Sequence, residues 1–313
     1  MIPVIFSNQS FTLSETERRF FRESNPLGFI LFKRNIDTPA QLKRLTSELR
    51  ESVGRDCPIL IDQEGGRVQR MATPHWALCP SAQACATVDD VRAAAERIAT
   101  DLVSVGIDVN CAPVLDVLNP VTHQAIGDRA FSDDPTEVYE KGRLTCDVFL
   151  SHGVTPVIKH MPGQGRADVD SHHDLPVVRA EMAELDAVDF HPFRRIAMDD
   201  LPVWGMMAHV IYTAIDPNRP ATLSPDVVRV IRRVIGFDGL LVSDDVSMGA
   251  LKSFGNIAEN CKSMLESGLD IALYCWAHQH EMEAIAAAVP AMSRATLERY
   301  DRSRLRRRPA APF

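Results

Sequence analysis

Short β-type apolar runs alternate along this chain with longer stretches whose apolar positions recur at helical spacing. The extended runs are Pro3–Phe6, Phe29–Phe32, Pro58–Asp62, Asp108–Ala112, Thr155–Lys159, Val203–His209, Leu240–Asp244 and Asp270–Tyr274. An amphipathic stretch follows each of them. The first opens at Ser14-Glu15-Thr16-Glu17, and the next are Thr38–Ser52, Asp89–Val105 and Pro135–His152. The last four are Ala180–Met198, Ser224–Ile235, Asn256–Ser267 and His278–Ala291. Ser224-Pro225-Asp226 places a cap residue and a proline at the first helical position, as a helix start requires. Eight β-then-α units in 313 residues predict a single (β/α)8 TIM barrel. The rival α/β arrangement, a doubly wound open sheet, lacks the glycine-rich fingerprint after its first strand. No Ser/Gly- or Pro-rich linker divides the chain, so residues 1–313 are expected to form one domain. The tail from about 294 to 313 carries Arg304, Arg306, Arg307 and Arg308 and reads as a solvated terminal helix.

A barrel of this kind collects function at the C-terminal ends of its strands. Polar residues cluster at those ends. The third run leads into Asp62-Gln63-Glu64-Gly65-Gly66-Arg67-Val68-Gln69-Arg70. Asp116 and Ile126-Gly127-Asp128-Arg129-Ala130-Phe131 follow the fourth, and the fifth ends in Lys159-His160. The sixth ends in His209 and the seventh in Ser243-Asp244-Asp245. After Lys159-His160 comes a Pro/Gly loop, Met161-Pro162-Gly163-Gln164-Gly165, which delivers Asp170-Ser171-His172. A carboxylate two residues from a histidine can orient the imidazole as a general acid/base; the alternative is a merely polar surface turn. Asp244 at the rim could be a nucleophile, a metal ligand or a helix cap, and capping accounts for only one of the two adjacent acids. Asp245 reads as a structural hydrogen-bonding group. Asp62, Arg70, Arg129, Lys159 and His160 are donors and acceptors of mixed sign suited to sugar hydroxyls, with a structural ion-pair network as the competing reading. Gly65-Gly66 fits either close backbone approach to a ligand or a turn.

Bulk properties narrow the partners. The net charge of −8 favours neither nucleic acid nor an anionic membrane. No stretch approaches the roughly 20 apolar residues that span a bilayer, and Met1–Phe6 lacks the features of a secretory signal. The 7 cysteines show no CxxC pair and read as reduced core thiols of a cytoplasmic protein. His172, His173, His209, Asp244 and Asp245 are candidate metal ligands, but the first strand ends in neither a His-x-His nor an acidic ligand, and no metal or other cofactor is expected.

At these residues the chain resembles glycoside hydrolase family 3, specifically the bacterial β-N-acetylhexosaminidases of cell-wall recycling. The likeness rests on Ile61–Val68, Ala112–Val117, Ile126–Phe131, Lys159-His160 through His172, Met207-Ala208-His209 and Ser243–Met248. It extends over nearly the whole chain. The resemblance implies that Asp244 is the nucleophile, His172 the acid/base and Asp170 its orienting partner. It further implies that Asp62, Arg70, Arg129, Lys159 and His160 hold a terminal N-acetylglucosamine of a muropeptide fragment. Retaining hydrolysis by a monomeric single barrel is the expected activity, with a glycoside phosphorylase or a non-catalytic sugar-binding protein as rivals. One departure is visible: Gln164 stands where many relatives have histidine, which bears on the ordering of the loop.

Overall fold

The computed structural model describes residues 1–167, 169 and 174–305. Eight parallel strands close into a barrel in chain order. They are β1 (Ile2–Phe6), β2 (Pro26–Leu31), β3 (Ile59–Ile61) and β4 (Val109–Asn110). The circuit continues through β5 (Thr155–Met161), β6 (Trp204–Met207), β7 (Leu241–Asp245) and β8 (Ile271–Leu273). The helices between them include α1 (Glu15–Ser24), α2 (Pro39–Val53), α3 (Val88–Ser104) and α4 (Pro135–Ser151). Further on come α5 (His191–Met198), α6 (Pro225–Val230), α7 (Ile257–Ser267) and α8 (Gln279–Ala288). The (β/α)8 barrel expected from the hydrophobic pattern is the fold.

Local chemistry accounts for where the elements begin and stop. Ser14 and Glu17 form a capping box at α1, as do Asn256 and Glu259 at α7. β2 starts three residues before the expected run because Pro26 sits at the first strand position, where a missing N–H costs nothing in the ladder. Gly28 lets β2 approach its neighbour: a Cβ there would lie 2.4 Å from the Pro58 carbonyl oxygen. The stretch Ala180–Met198 is not one helix. A π turn over Leu185–Asp189 precedes α5, whose second residue, Pro192, cannot donate to the preceding turn.

Strand alternation splits the apolar residues between two cores. Val4, Phe6, Phe29, Leu31, Ile59 and Ile61 face the helices, whereas Ile5, Ile30, Leu60, Val157, Val242 and Leu273 fill the barrel. The barrel cluster is closed by Trp204, Met292 and Tyr300. Tyr300 belongs to α9 (Arg294–Leu305), which corrects the reading of the tail as a solvated helix. Trp204 Nε1 donates to Ser303 Oγ at 3.0 Å, and Arg299 Nη1 pairs with the buried Asp270 at 3.0 Å. This helix packs where the strands begin, leaving the opposite mouth for chemistry. Arg306, Arg307 and Arg308 lie outside the described residues. Among the described residues no helix is long and apolar enough to cross a membrane.

Candidate active site

Beyond β3 the chain leaves the barrel at Asp62 and folds into a short antiparallel ribbon, Gln63–Gly65 against Val68–Gln69. Gly65 and Gly66 turn it with φ of 96° and 56°. A Cβ on Gly65 would stand 2.2 Å from the Pro80 carbonyl, so this pair serves a turn packed on the loop beneath. The buried Gln63 side chain accepts from the N–H groups of Arg70 (2.8 Å) and Met71 (3.0 Å) and donates to the Met71 carbonyl (2.9 Å). It thereby fixes the segment that carries Arg70.

Lys159, at 2% exposure, points from β5 into a set of charges. Its Nζ lies 2.9 Å from Asp62 Oδ1 and 2.6 Å from Glu64 Oε1. Arg129 grips Glu64 in bidentate fashion, with both N–O distances 2.8 Å. Arg70 Nη2 stands 3.3 Å from Asp62 Oδ2, while its buried Nε meets no acceptor among the described residues. Burial alone would raise the two carboxyls, but the neighbouring cations overcome it. Lys159 and Arg70 hold Asp62 well below the carboxylate range, and Arg129 and Lys159 hold Glu64 down at about 2. Burial opposes the charge on Lys159 in turn, and Asp62 and Glu64 more than offset it, so the ammonium is retained.

His160 is held by Asp116. The Asp116 Oδ2 atom accepts from the ring Nδ1 at 2.7 Å, and Oδ1 accepts the His160 N–H at 3.2 Å and the Gln164 N–H at 2.7 Å. Because a carboxylate only accepts, Nδ1 carries the proton and Nε2 faces Arg129 Nη2 at 3.5 Å. The loop after β5 is pinned further: Tyr212 donates to the Gly163 carbonyl at 2.8 Å, and Arg166 Nε donates to Asp189 Oδ2 at 2.7 Å. Burial lifts Asp189 to about 6 despite that arginine.

Asp244, the penultimate residue of β7, is half-buried, with one oxygen accepting the Asp245 N–H at 2.8 Å. Burial would raise its pKa, but His160 and His209 outweigh burial and keep it below 3.8. Asp245 lines the same cavity but is held by local donors: it accepts from the Ser247 hydroxyl and from the N–H groups of Ser247 and Cys275, both at 3.2 Å. The fully buried His209 bridges Thr222 Oγ1 (2.8 Å) and the Asp245 carbonyl (3.0 Å). A carbonyl only accepts, so Nε2 carries the hydrogen, and burial lowers the pKa of this ring. Both nitrogens of His209 are committed to positioning the end of β7.

A cavity of about 380 Å³ opens at this mouth. Asp62, Arg70, Arg129, Lys159, His160 and Asp244 all line it. His172 and Asp170 lie outside the described residues, as does His173. Among the described residues no group of three His, Cys, Asp or Glu side chains is placed to hold a metal ion. Glu64 and Asp116 organise this site, yet neither was assigned a role from the sequence. For Glu64 the signal was strand alternation, which sets it on the same side as Asp62, two residues earlier. Asp116 followed the fourth strand in plain view, but its partnership with His160 spans 44 positions of chain.

A parallel barrel with paired charges around a carboxylate at its C-terminal mouth defines an enzyme for a polar ligand. Comparison with known proteins specifies the class. Residues 7–306 match the glycosyl hydrolase family 3 N-terminal domain. A β-hexosaminidase of Alkalilimnicola ehrlichii is 36% identical over 299 residues, covering 92% of this chain and 84% of that protein. The fold superposes with a TM-score of 0.87 on NagZ from Neisseria gonorrhoeae in complex with N-trifluoroacetyl-D-glucosamine, at 29% identity over 96% of this chain and 89% of that one. A family 3 β-N-acetylglucosaminidase from a Paenibacillus species gives a TM-score of 0.90 at 30% identity, and there 99% of this chain spans 63% of the other. The chain belongs to glycosyl hydrolase family 3. It is a glycosidase of the β-N-acetylhexosaminidase type.

Proposed function

We propose that this enzyme is a retaining exo-β-N-acetylglucosaminidase acting on peptidoglycan fragments, removing terminal N-acetylglucosamine from an anhydro-muramic acid with or without its peptide. The observation that carries the reading is Asp244: an ionised carboxylate at the end of β7, in one cavity with a cluster of paired acids and cations. Asp62, Arg70, Arg129, Lys159 and His160 bind the sugar hydroxyls, with Glu64 and Asp116 holding them in place. Asp244 attacks the anomeric carbon as the glycosidic C–O bond breaks, and His172 gives its proton to the departing oxygen. A water molecule then attacks the same carbon, its proton passes to His172, and Asp244 is released. Two inversions restore the original configuration. Asp170 orients His172 and stabilises its cationic form. No cofactor takes part. We place the enzyme in the cytoplasm as a single-domain monomer over residues 1–313, with no nucleic-acid or membrane partner.

The test is nitrophenol release from 4-nitrophenyl N-acetyl-β-glucosaminide in phosphate-free buffer. Free N-acetylglucosamine as the product supports the reading; turnover that requires phosphate and yields the sugar phosphate overturns hydrolysis. Two variants extend it. His172→Ala is expected to lose most activity on sugar leaving groups and least on nitrophenol, because acid assistance matters less when the aglycone departs easily. Equal losses on both would remove His172 from that role. Asp116→Ala takes away the carboxylate that accepts from His160 and from the Gln164 N–H, so kcat/KM should fall roughly 10- to 100-fold. Activity within twofold of wild type would show that His160 needs no such partner.

A further inference from the structure

Among the three tryptophans, Trp76 and Trp204 are 6% and 1% exposed, whereas Trp276 is 57% exposed. An indole left this open needs a reason, and its position offers one: Trp276 lines the same cavity as Asp244. The segment that presents it is fixed rather than loose. The Cys275 N–H donates to Asp245 Oδ1 at 3.2 Å, and Arg34 Nη2 donates to the Cys275 carbonyl at 2.5 Å. On the far side Gln9 Nε2 donates to the Ala277 carbonyl at 3.1 Å. The buried Ala277 adopts a left-handed φ of 60°, a conformation that non-glycine residues hold only when their surroundings impose it. The exposed ring therefore stands on a backbone tied at three points, one of them the carboxylate next to Asp244.

Barrel order says which part of a substrate it meets. β8, which precedes Trp276, neighbours β7 and β1 and lies across the barrel from β4. The charged cluster comes from the ends of β3 and β5 and the loop after β4, on the opposite wall. A terminal sugar whose hydroxyls engage that cluster, with its anomeric carbon at Asp244, directs its leaving group toward the Trp276 side. From there the rings of Trp276 and His278 (centroids 6.3 Å apart, 31° between planes) and of His278 and His280 (6.1 Å, 5°) form an aromatic strip running outward. The C–H face of a pyranose is apolar and suits such a surface, while its hydroxyl edges stay in water.

We propose that Trp276 is the stacking platform for the pyranose ring of the leaving group and so sets the preference for sugar over small aglycones. The inference rests on the glycosidase reading above, with Asp244 at the anomeric carbon. The test compares N,N′-diacetylchitobiose, whose leaving group is a sugar, with N-acetyl-β-glucosaminyl fluoride, whose leaving group cannot reach the indole. In Trp276→Ala the ratio of kcat/KM for the disaccharide to that for the fluoride is expected to fall about tenfold, and Trp276→Phe should restore most of it. An unchanged ratio, or parallel losses on both substrates, overturns the platform while the glycosidase reading stands. Turnover of neither substrate by the wild type overturns that reading and the inference with it.

Discussion

Asp244→Ala is expected to lower kcat/KM for 4-nitrophenyl N-acetyl-β-glucosaminide by on the order of 10⁴-fold or more, since no covalent intermediate can form without the carboxylate. The fold should hardly notice. The Asp244 side chain is half-buried and accepts one local N–H from Asp245, so its removal costs about 1 kcal/mol of stability. Thermal unfolding of the variant beside the wild type checks that half of the expectation. The gap left by the carboxylate also gives a positive control: added azide should restore turnover on the nitrophenyl substrate and yield the α-glycosyl azide, because a single displacement inverts the anomeric carbon. Retained activity in Asp244→Ala, or a β-configured azide product, would remove Asp244 from the nucleophile's position.

Glu64→Ala should produce the second large effect, on binding and stability together. Lys159 is buried and Arg129 largely so, and both lose a carboxylate that stands within 2.8 Å in the wild type. Breaking one member out of such a cluster typically costs about 3–5 kcal/mol, because a buried charge is left uncompensated. With Arg129 and Lys159 released, substrate affinity should fall in the same variant. The effect carries a pH signature. The folded pKa of Glu64 is about 2 against an ordinary 4.5, a depressed carboxyl. Its contribution is therefore complete above pH 4.5 and is lost as pH falls through 2. Urea unfolding of wild type and Glu64→Ala should differ most near neutrality and converge on acidification across that window; a constant difference would place the cost elsewhere.

The sequence made the barrel legible because its signal is repetitive. Each strand reads as a compact apolar run and most helices open on a capping side chain, as at Ser14, Thr38, Thr87, Asp134, Ser224 and Asn256, so errors at single boundaries leave the alternation intact. The boundaries failed where a residue's role depends on a distant neighbour. Pro26 and Gly28 look like breakers until the approach of β2 to Pro58 is seen. The break before α5 depends on Pro192, which an amphipathic pattern from Ala180 to Met198 conceals. The same distinction divides the site. Asp62, Arg70, Arg129, Lys159, His160 and Asp244 were readable as charges at strand ends, and they line one cavity. Asp116 and Glu64 were not assigned, because a carboxylate that serves another side chain shows its purpose only once that side chain is beside it. Trp276 escaped for a related reason: exposure is a property of the folded surface, and nothing local in Cys275-Trp276-Ala277 announces it.

Incubation with 5-fluoro-N-acetylglucosaminyl fluoride, followed by peptide mass spectrometry, tests the covalent mechanism most directly. The ring fluorine slows both steps while the good leaving group spares the first, so the glycosyl-enzyme accumulates. A single sugar adduct on the peptide containing Asp244, absent from Asp244→Ala, is the expected result. Turnover of the nitrophenyl substrate without any adduct, or an adduct on a different residue, would contradict a glycosyl-aspartate at Asp244.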